Sequence, residues 1–281
     1  MVPLTADVYF INLDRVPERA AFMLGQFSNA GISDPIRFPA IDARSAEMRD
    51  CPRYRPHSWG PYWTLRETEI AVFESHRAIW EKIVESDRPA AIFEDDVLIS
   101  TQAGAIITAL SDYSDRFEMA KLDALAGQVR LGPEMRLGDS RLHPITEVVA
   151  SAAGYLLSPT GAQSLLRRSQ SYCDHLDDFI TRPARGYRAI QLTPGIAVQG
   201  MFADVRGRDD IPASIAGSER TAFGSEPTSD GRGPVPYRLA KEIRRGWRRS
   251  ARKIFRDGQL QRQGGLIGEV PLASDLPGYR K

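Results

Sequence analysis

Pro89-Ala90-Ala91-Ile92-Phe93-Glu94-Asp95-Asp96 is the stretch that decides the fold. An apolar run this short, entered through a turn residue, reads as a buried parallel strand. Three adjacent carboxylates at its end repel one another and lose hydration at the rim of a core. A bound divalent cation would offset that cost. In open α/β sheets the ligand site lies outside the carboxyl ends of the strands, which is where these acids stand. Glu94 and Asp96 are two residues apart, so a strand points both the same way. Together they could hold Mg²⁺ or Mn²⁺ while phosphates and waters complete the shell. The same spacing also suits a water-solvated strand end, or a helix N-terminus favoured by its dipole.

The elements on either side alternate. Val8-Tyr9-Phe10-Ile11-Asn12-Leu13 is rich in β-branched and aromatic residues and reads as a first strand. Residues 16–30 carry Phe22, Leu24 and Phe27 at helical spacing, with Pro17 in the first turn and Gly31 as the stop. Residues 37–42 form a short second strand, and Pro39 places it at an edge. Residues 43–64 are irregular, rich in Pro, Trp and Tyr. Ile70, Phe73, Ile79, Trp80 and Ile83 give residues 66–86 one apolar helical face, with Thr64 or Thr68 as the cap. Downstream come a helix at 102–117, a strand near 120–124, and a strand at 147–158 interrupted by Gly154. A helix then starts at Ser158-Pro159-Thr160, and a short helix capped by Asp174 carries Asp177 and Asp178. The last strand spans 187–198, broken at Pro194-Gly195. This alternation predicts an α/β fold with a Rossmann-type, mostly parallel central sheet and helices on both faces.

Three segments follow: a body over 1–203, a Gly/Ser/Pro-rich linker or lid over 204–236, and a basic segment over 237–281. The net charge of +1 hides an asymmetry, because nine Lys/Arg and one Glu between Tyr237 and Arg256 leave a mildly acidic remainder. Leu239, Ile243, Trp247, Ala251, Ile254 and Phe255 recur there at helical spacing. Arg244, Arg245, Arg248, Arg249, Arg252 and Lys253 fill the other positions. Such a basic amphipathic helix suits an anionic membrane surface. A surface helix docked on the acidic body is the alternative. Nucleic acid fits worst, because aliphatic residues offer bases no stacking platform. No apolar stretch is long enough to span a bilayer, and the N-terminus lacks the pattern of a secretory signal. The two cysteines, Cys51 and Cys173, suit a reducing compartment. The expected location is the cytoplasm, peripheral to the inner face of the membrane.

Several of these stretches together resemble glycosyltransferase family 25, the bacterial lipopolysaccharide and lipooligosaccharide glycosyltransferases related to collagen galactosyltransferases. Residues 8–15 followed by Pro17-Glu18-Arg19 are similar to the family's opening motif, and residues 37–42 to its second. Residues 69–80, Glu-Ile-Ala-Val-Phe-Glu-Ser-His-Arg-Ala-Ile-Trp, are similar to its third, and Ile92-Phe93-Glu94-Asp95-Asp96-Val97 to its acidic motif. Ala153-Gly154-Tyr155-Leu156-Leu157-Ser158 and Asp177-Asp178-Phe179 continue the series in order. The order makes the match specific; each motif alone is weak. The chain departs from the pattern at Asp42-Ala43, where the family has Asp-Gly, and at Ala71-Val72, where it has Gly and Cys.

The resemblance implies a GT-A fold, a UDP-sugar donor (commonly UDP-galactose), a divalent cation (Mn²⁺ or Mg²⁺) and inverting transfer of a hexose to a saccharide acceptor. On that basis Glu94, Asp95 and Asp96 hold the metal, with Asp95 also at the donor. Arg15 and Arg19 are expected on the nucleotide or its phosphates, with Asn12, Asp42, Ser75 and His76 lining the donor site. Read as residues alone, Arg15 and Arg19 are also an exposed pair around Glu18, and His76 a structural helical histidine. Asp177 and Asp178 are the candidates for the catalytic base, since inverting transfer needs a carboxylate to take the acceptor's proton. A helix-start role for these two stays open. Lys121 and Asp123 could line the same cleft. A catalytically silent nucleotide- or glycan-binding relative tethered to the membrane, and a nucleotidyltransferase, are the competing functions.

Overall fold

A computed structural model of the chain describes residues 5–44, 48–206, 211–216, 232–251 and 257–280. In chain order the elements are β1 (Asp7–Asn12), α1 (Pro17–Asn29), β2 (Ile36–Pro39), α2 (Glu67–Ser86), β3 (Ala90–Glu94), β4 (Val97–Ile99) and α3 (Ala103–Ser111). These are followed by β5 (Met119–Lys121), β6 (Val129–Pro133), β7 (Met135–Leu137), β8 (Ser140–Pro144), β9 (Gly154–Leu157), α4 (Pro159–Arg168) and α5 (Leu176–Thr181). Last come β10 (Ala189–Thr193), β11 (Ala197–Gln199), α6 (Ala213–Ala216), α7 (Val235–Ala251), α8 (Asp257–Arg262) and β12 (Gly265–Gly268).

Eight strands form one sheet in the order β2-β1-β3-β9-β5-β10-β8-β7. β1 runs parallel to β2 and β3, and β5 parallel to β10. β9 lies between β3 and β5, antiparallel to both, and β8 opposes β10 and β7. The sheet is therefore mixed, with most strands pointing one way. Strand alternation divides the core: Tyr9, Ile11, Ala90, Ile92, Tyr155 and Leu157 face the side covered by α2, α4 and α5. Val8, Phe10, Ala91, Phe93 and Leu156 face α1 and α3. On that second side the rings of Phe10, Phe27 and Phe93 meet with centroids 5.6 and 5.8 Å apart.

Several local expectations change. The acid-tipped strand ends at Glu94; Asp95 and Asp96 make the turn into β4, which pairs with β11. Arg66 stands at the cap of α2: its N–H donates to the Glu69 carboxylate at 2.8 Å and its carbonyl accepts from the Glu69 N–H at 3.0 Å, and neither threonine caps the helix. Asp174 does not cap α5; His175 occupies the cap position without a side-chain bond to the helix, and Asp174 accepts two bonds from Arg182 at 2.8 and 3.1 Å instead. Both cysteines are free.

The final residues, grouped with the basic segment on sequence, fold back onto the body. β12 pairs with β6, Val270 and Ala273 are buried, and Asp275 accepts from Ser100 Oγ at 2.9 Å and Thr101 N–H at 2.7 Å. Ile211 and Ile215, within the expected lid, pack with Leu98 and Val198. The basic positions Arg252 and Lys253, with Ile254 and Phe255, lie outside the described residues, as do the side chains of Arg248, Arg249 and Ala251.

Candidate active site

The carboxyl ends of β1 and β3 meet at a buried polar hub. Asn12 closes β1 and is 1% exposed. Its Nδ2 donates to Val16 O at 3.1 Å and to Asp95 Oδ2 at 2.7 Å, and its Oδ1 accepts from Arg37 Nε at 2.9 Å. Both amide hydrogens are thus used within the chain, joining α1's entry to the acidic turn. Arg19, one turn into α1, donates from Nη1 to Asp95 Oδ1 at 3.2 Å and from Nη2 to Ser214 O at 2.5 Å. Among the described residues its buried Nε has no partner. Asp95 therefore faces a guanidinium and an amide, and α6 is latched to the same arginine.

The three acids divide accordingly. Glu94 Oε2 and Asp96 Oδ1 share Gln199 Nε2 at 2.8 and 3.4 Å, at the end of β11. Asp95 turns the other way. Among the described residues no three His, Cys, Asp or Glu side chains gather as a metal-binding group. Two carboxylates on one side of a turn do suit a Mg²⁺ or Mn²⁺ ion that takes its remaining ligands from phosphates and water. The donor set fits Glu94 and Asp96 in that role, and does not fit Asp95.

His76 stands behind Glu94. Trp80 Nε1, which can only donate, gives its hydrogen to Tyr155 Oη at 2.9 Å. Tyr155 is fully buried, and the acceptor it has for its own hydrogen is His76 Nδ1, 2.9 Å away. That assigns the proton of the neutral ring to Nε2, which lies 4.0 Å from Glu94 Oε1. Burial pushes the imidazole down to about 3, so this contact is no ion pair at neutral pH. Ser75 does not face the cleft: its Oγ donates to Ala71 O at 2.7 Å and accepts from Ile41 N–H at 2.9 Å, pinning the loop that carries Asp42. Asp42 meets Arg15 Nε at 3.0 Å. Burial pushes that carboxyl up, but the Arg44 N–H and Arg15 outweigh it and hold it below the usual range.

The two downstream acids also divide. Asp177 Oδ1 accepts from Asp178 N–H at 2.9 Å, and its Oδ2 from Ser151 N–H at 3.1 Å. Ser151 adopts φ +74° and donates from Oγ to Asp123 Oδ2 at 2.5 Å. Lys121 Nζ meets Asp123 Oδ1 at 2.5 Å and Ser151 O at 2.8 Å. Lys121 and Asp123 are buried, at 1% and 0% exposure, so they brace the cleft rather than line it. Asp178 instead accepts from Tyr62 Oη at 2.8 Å. Burial, and then the neighbouring Asp177 charge, raise its carboxyl above the ordinary range, although Tyr62, His175 and Arg182 pull the other way.

The two acidic groups reach one segment. Glu94 N–H donates to Ala153 O at 3.0 Å, two residues from the Ser151 N–H that holds Asp177. Gly154 permits the approach, since a Cβ there would lie 3.0 Å from the Phe93 ring. Tyr62, Ser151 and Gln199 were not legible as site residues. Tyr62 sat in a ring-rich loop and Gln199 on an ordinary strand, with nothing local to mark either.

A family model described as glycosyltransferase family 25 (LPS biosynthesis protein) matches residues 5–180, which hold β1 through most of α5 and nearly all of these groups. The chain belongs to glycosyltransferase family 25. A Haemophilus influenzae protein provisionally named a glycosyltransferase is 30% identical over 50% of this chain and 51% of its own length. A Neisseria meningitidis relative, named a lacto-N-neotetraose biosynthesis glycosyltransferase, is 26% identical over 57% of this chain and 59% of its own. An Aedes aegypti glycosyltransferase 25 family member is 37% identical over 33% of this chain and 16% of its own. The chain spans about half the length of the bacterial relatives it matches.

The Arg19–Asp95 pair yields a stability prediction. Arg19→Met leaves a mostly buried carboxylate short of its cation and should cost roughly 3 kcal/mol in urea unfolding. Adding Asp95→Asn should recover about half or more of that loss. Additive losses in the double variant would show that the two do not interact.

Proposed function

We propose that this family 25 protein is an inverting, metal-dependent hexosyltransferase. It moves a sugar, galactose by preference, from a UDP donor to a saccharide of lipopolysaccharide or another cell-surface glycan. The observation that carries this reading is the division of the acids around one segment, with Glu94 and Asp96 on Gln199 and Asp178 on Tyr62. Glu94 and Asp96 would hold the cation, which supplies positive charge to the departing diphosphate. The Arg15–Asp42 pair at the cleft's edge is placed to meet the nucleotide. Asn12, Arg19, Ser75 and Asp95 act as its scaffold, and His76, held by Tyr155, packs behind Glu94.

Asp178 is the base in this reading, and Asp177 its support. Asp177 spends an oxygen on each of two backbone N–H groups. Asp178 is half-buried and its carboxyl is raised above the ordinary range, which favours it over Asp177 as the proton acceptor. As the acceptor oxygen bonds to the anomeric carbon, its proton passes to Asp178. The bond to the diphosphate breaks, and that electron pair leaves with the nucleotide.

α7 supports a membrane-surface role for the same protein. Val235, Leu239, Ile243 and Trp247 recur every four residues and are 61–77% exposed, beside Arg238, Lys241, Arg244 and Arg245. Among the described residues no helix is long and apolar enough to cross a membrane.

Three outcomes are expected. Mn²⁺ should enlarge the rise in Tm that UDP-galactose gives the parent, and Glu94→Gln with Asp96→Asn should remove that enlargement. An unchanged Mn²⁺ effect in the double variant rejects the metal site. Asp178→Asn should lower kcat by about 10²–10⁴, with a smaller loss for Asp177→Asn. The rate should fall as pH drops through the raised pKa of Asp178. Tyr62→Phe removes a bond that favours the ionised form, so it should move that limb to higher pH; a downward shift contradicts the assignment. Leu239→Ser with Ile243→Ser should reduce co-sedimentation with phosphatidylserine vesicles, and parent-level retention rejects the anchor.

A further inference from the structure

The loop that delivers Tyr62 to Asp178 also gathers rings that the reaction does not use. Trp59 is 53% exposed, and its backbone lies at φ +58°, next to His57 at φ +62°. Bulky residues adopt this left-handed conformation when their surroundings hold them there, and such residues collect at ligand sites. The surroundings here are well defined. Trp59 meets the edges of Trp63 and Tyr237, with centroids 6.4 and 5.8 Å apart. Tyr237 Oη donates to Gly60 O and Pro61 O, each at 3.1 Å, and Lys241 Nζ donates to Pro61 O at 3.0 Å. The start of α7 therefore clamps the loop, yet the clamp leaves the Trp59 ring half in water.

Position and chemistry suggest what covers it. Three residues on, the Tyr62 hydroxyl bonds Asp178, and the Tyr62 ring stacks on His175 at 3.9 Å. An extended chain of three residues spans at most about 11 Å, within the reach of a short saccharide. Burying the exposed half of the indole is favourable, and a pyranose presents a face of C–H groups that lies flat on an aromatic ring. Its hydroxyls point outward and need polar neighbours, which His57 and Lys241 supply at the exposed rim.

We propose that Trp59, backed by Trp63 and Tyr237, is the platform on which the acceptor saccharide stacks, one sugar or more away from the hydroxyl that reacts. The inference rests on the reading of Asp178 as the base. It makes Trp59 a determinant of acceptor binding and gives it no part in holding the donor.

Saturation-transfer NMR on the full chain tests this without turnover, with lactose and N-acetyllactosamine as probes. The parent should pass saturation to sugar C–H protons. Trp59→Ala should weaken binding at least tenfold, Trp59→Phe should retain most of it, and the rise in Tm with UDP-galactose should be equal in all three. A parent that binds neither disaccharide, or Trp59→Ala binding as the parent does, overturns the proposal. So does Trp59→Ala exposing α7 to proteolysis, or losing vesicle binding while keeping saccharide binding. A chain that binds sugar through Trp59 but transfers none rejects the reaction and keeps the platform.

Discussion

β9 enters the sheet between β3 and β5, antiparallel to both, and a side chain at its first residue, Gly154, would press on the Phe93 ring at 3.0 Å. Gly154 lets β9 pair closely with β3 at that point. The preceding carbonyl, at Ala153, then accepts the Glu94 N–H, so the acidic turn and the 151–153 segment are locked edge to edge. The Asp177, Asp123 and Lys121 network is referred to this lock. Ser151, in a left-handed conformation that most residues resist, presents its N–H to Asp177 and its hydroxyl to Asp123. The buried Lys121–Asp123 pair closes the network from below. A buried pair adds little net stability, but removing one partner is costly, so such a pair fixes geometry more than it adds stability.

Electrostatics then separates residues that look equivalent. Glu94, Asp95 and Asp96 are adjacent, yet a turn rotates Asp95 towards Arg19 and Asn12 and leaves its neighbours on Gln199. Asp177 and Asp178 are adjacent, yet backbone N–H groups occupy one while a tyrosine hydroxyl holds the other. Burial raises the Tyr62 phenol well above its usual range, so it stays a donor across the working pH. In both cases the hydrogen-bond donors brought alongside, not the residue type, set the role.

The C-terminal half links these acids to the outer surface. α7 is clamped on the 57–63 loop through Tyr237 and Lys241, and that loop carries the hydroxyl that reaches Asp178. The last described residues close the opposite side, with β12 on β6 and Asp275 on the turn after β4. The body is thus completed by residues well beyond the 5–180 stretch that places the chain in its family.

Local pattern sufficed where the physics is local. The alternation in β1 and β3, the apolar face of α2 and the start of α4 at Ser158-Pro159 are each set by a few neighbouring residues. The ordered motifs carried the family, because their succession needs no knowledge of distance. The three short strands β6, β7 and β8 were not foreseen, since each gains its stability from a partner strand rather than from its own residues. The direction of β9 was not legible either, because strand polarity depends on where the chain returns to the sheet. The sequence by itself determined which residues are acidic, aromatic or apolar, and in what order. Only the tertiary structure decided which acids share a donor, which are neutralised by Arg19, and that Tyr62, more than a hundred residues away in sequence, stands on Asp178. Those outcomes are set by hydrogen-bond partners that chain order does not specify.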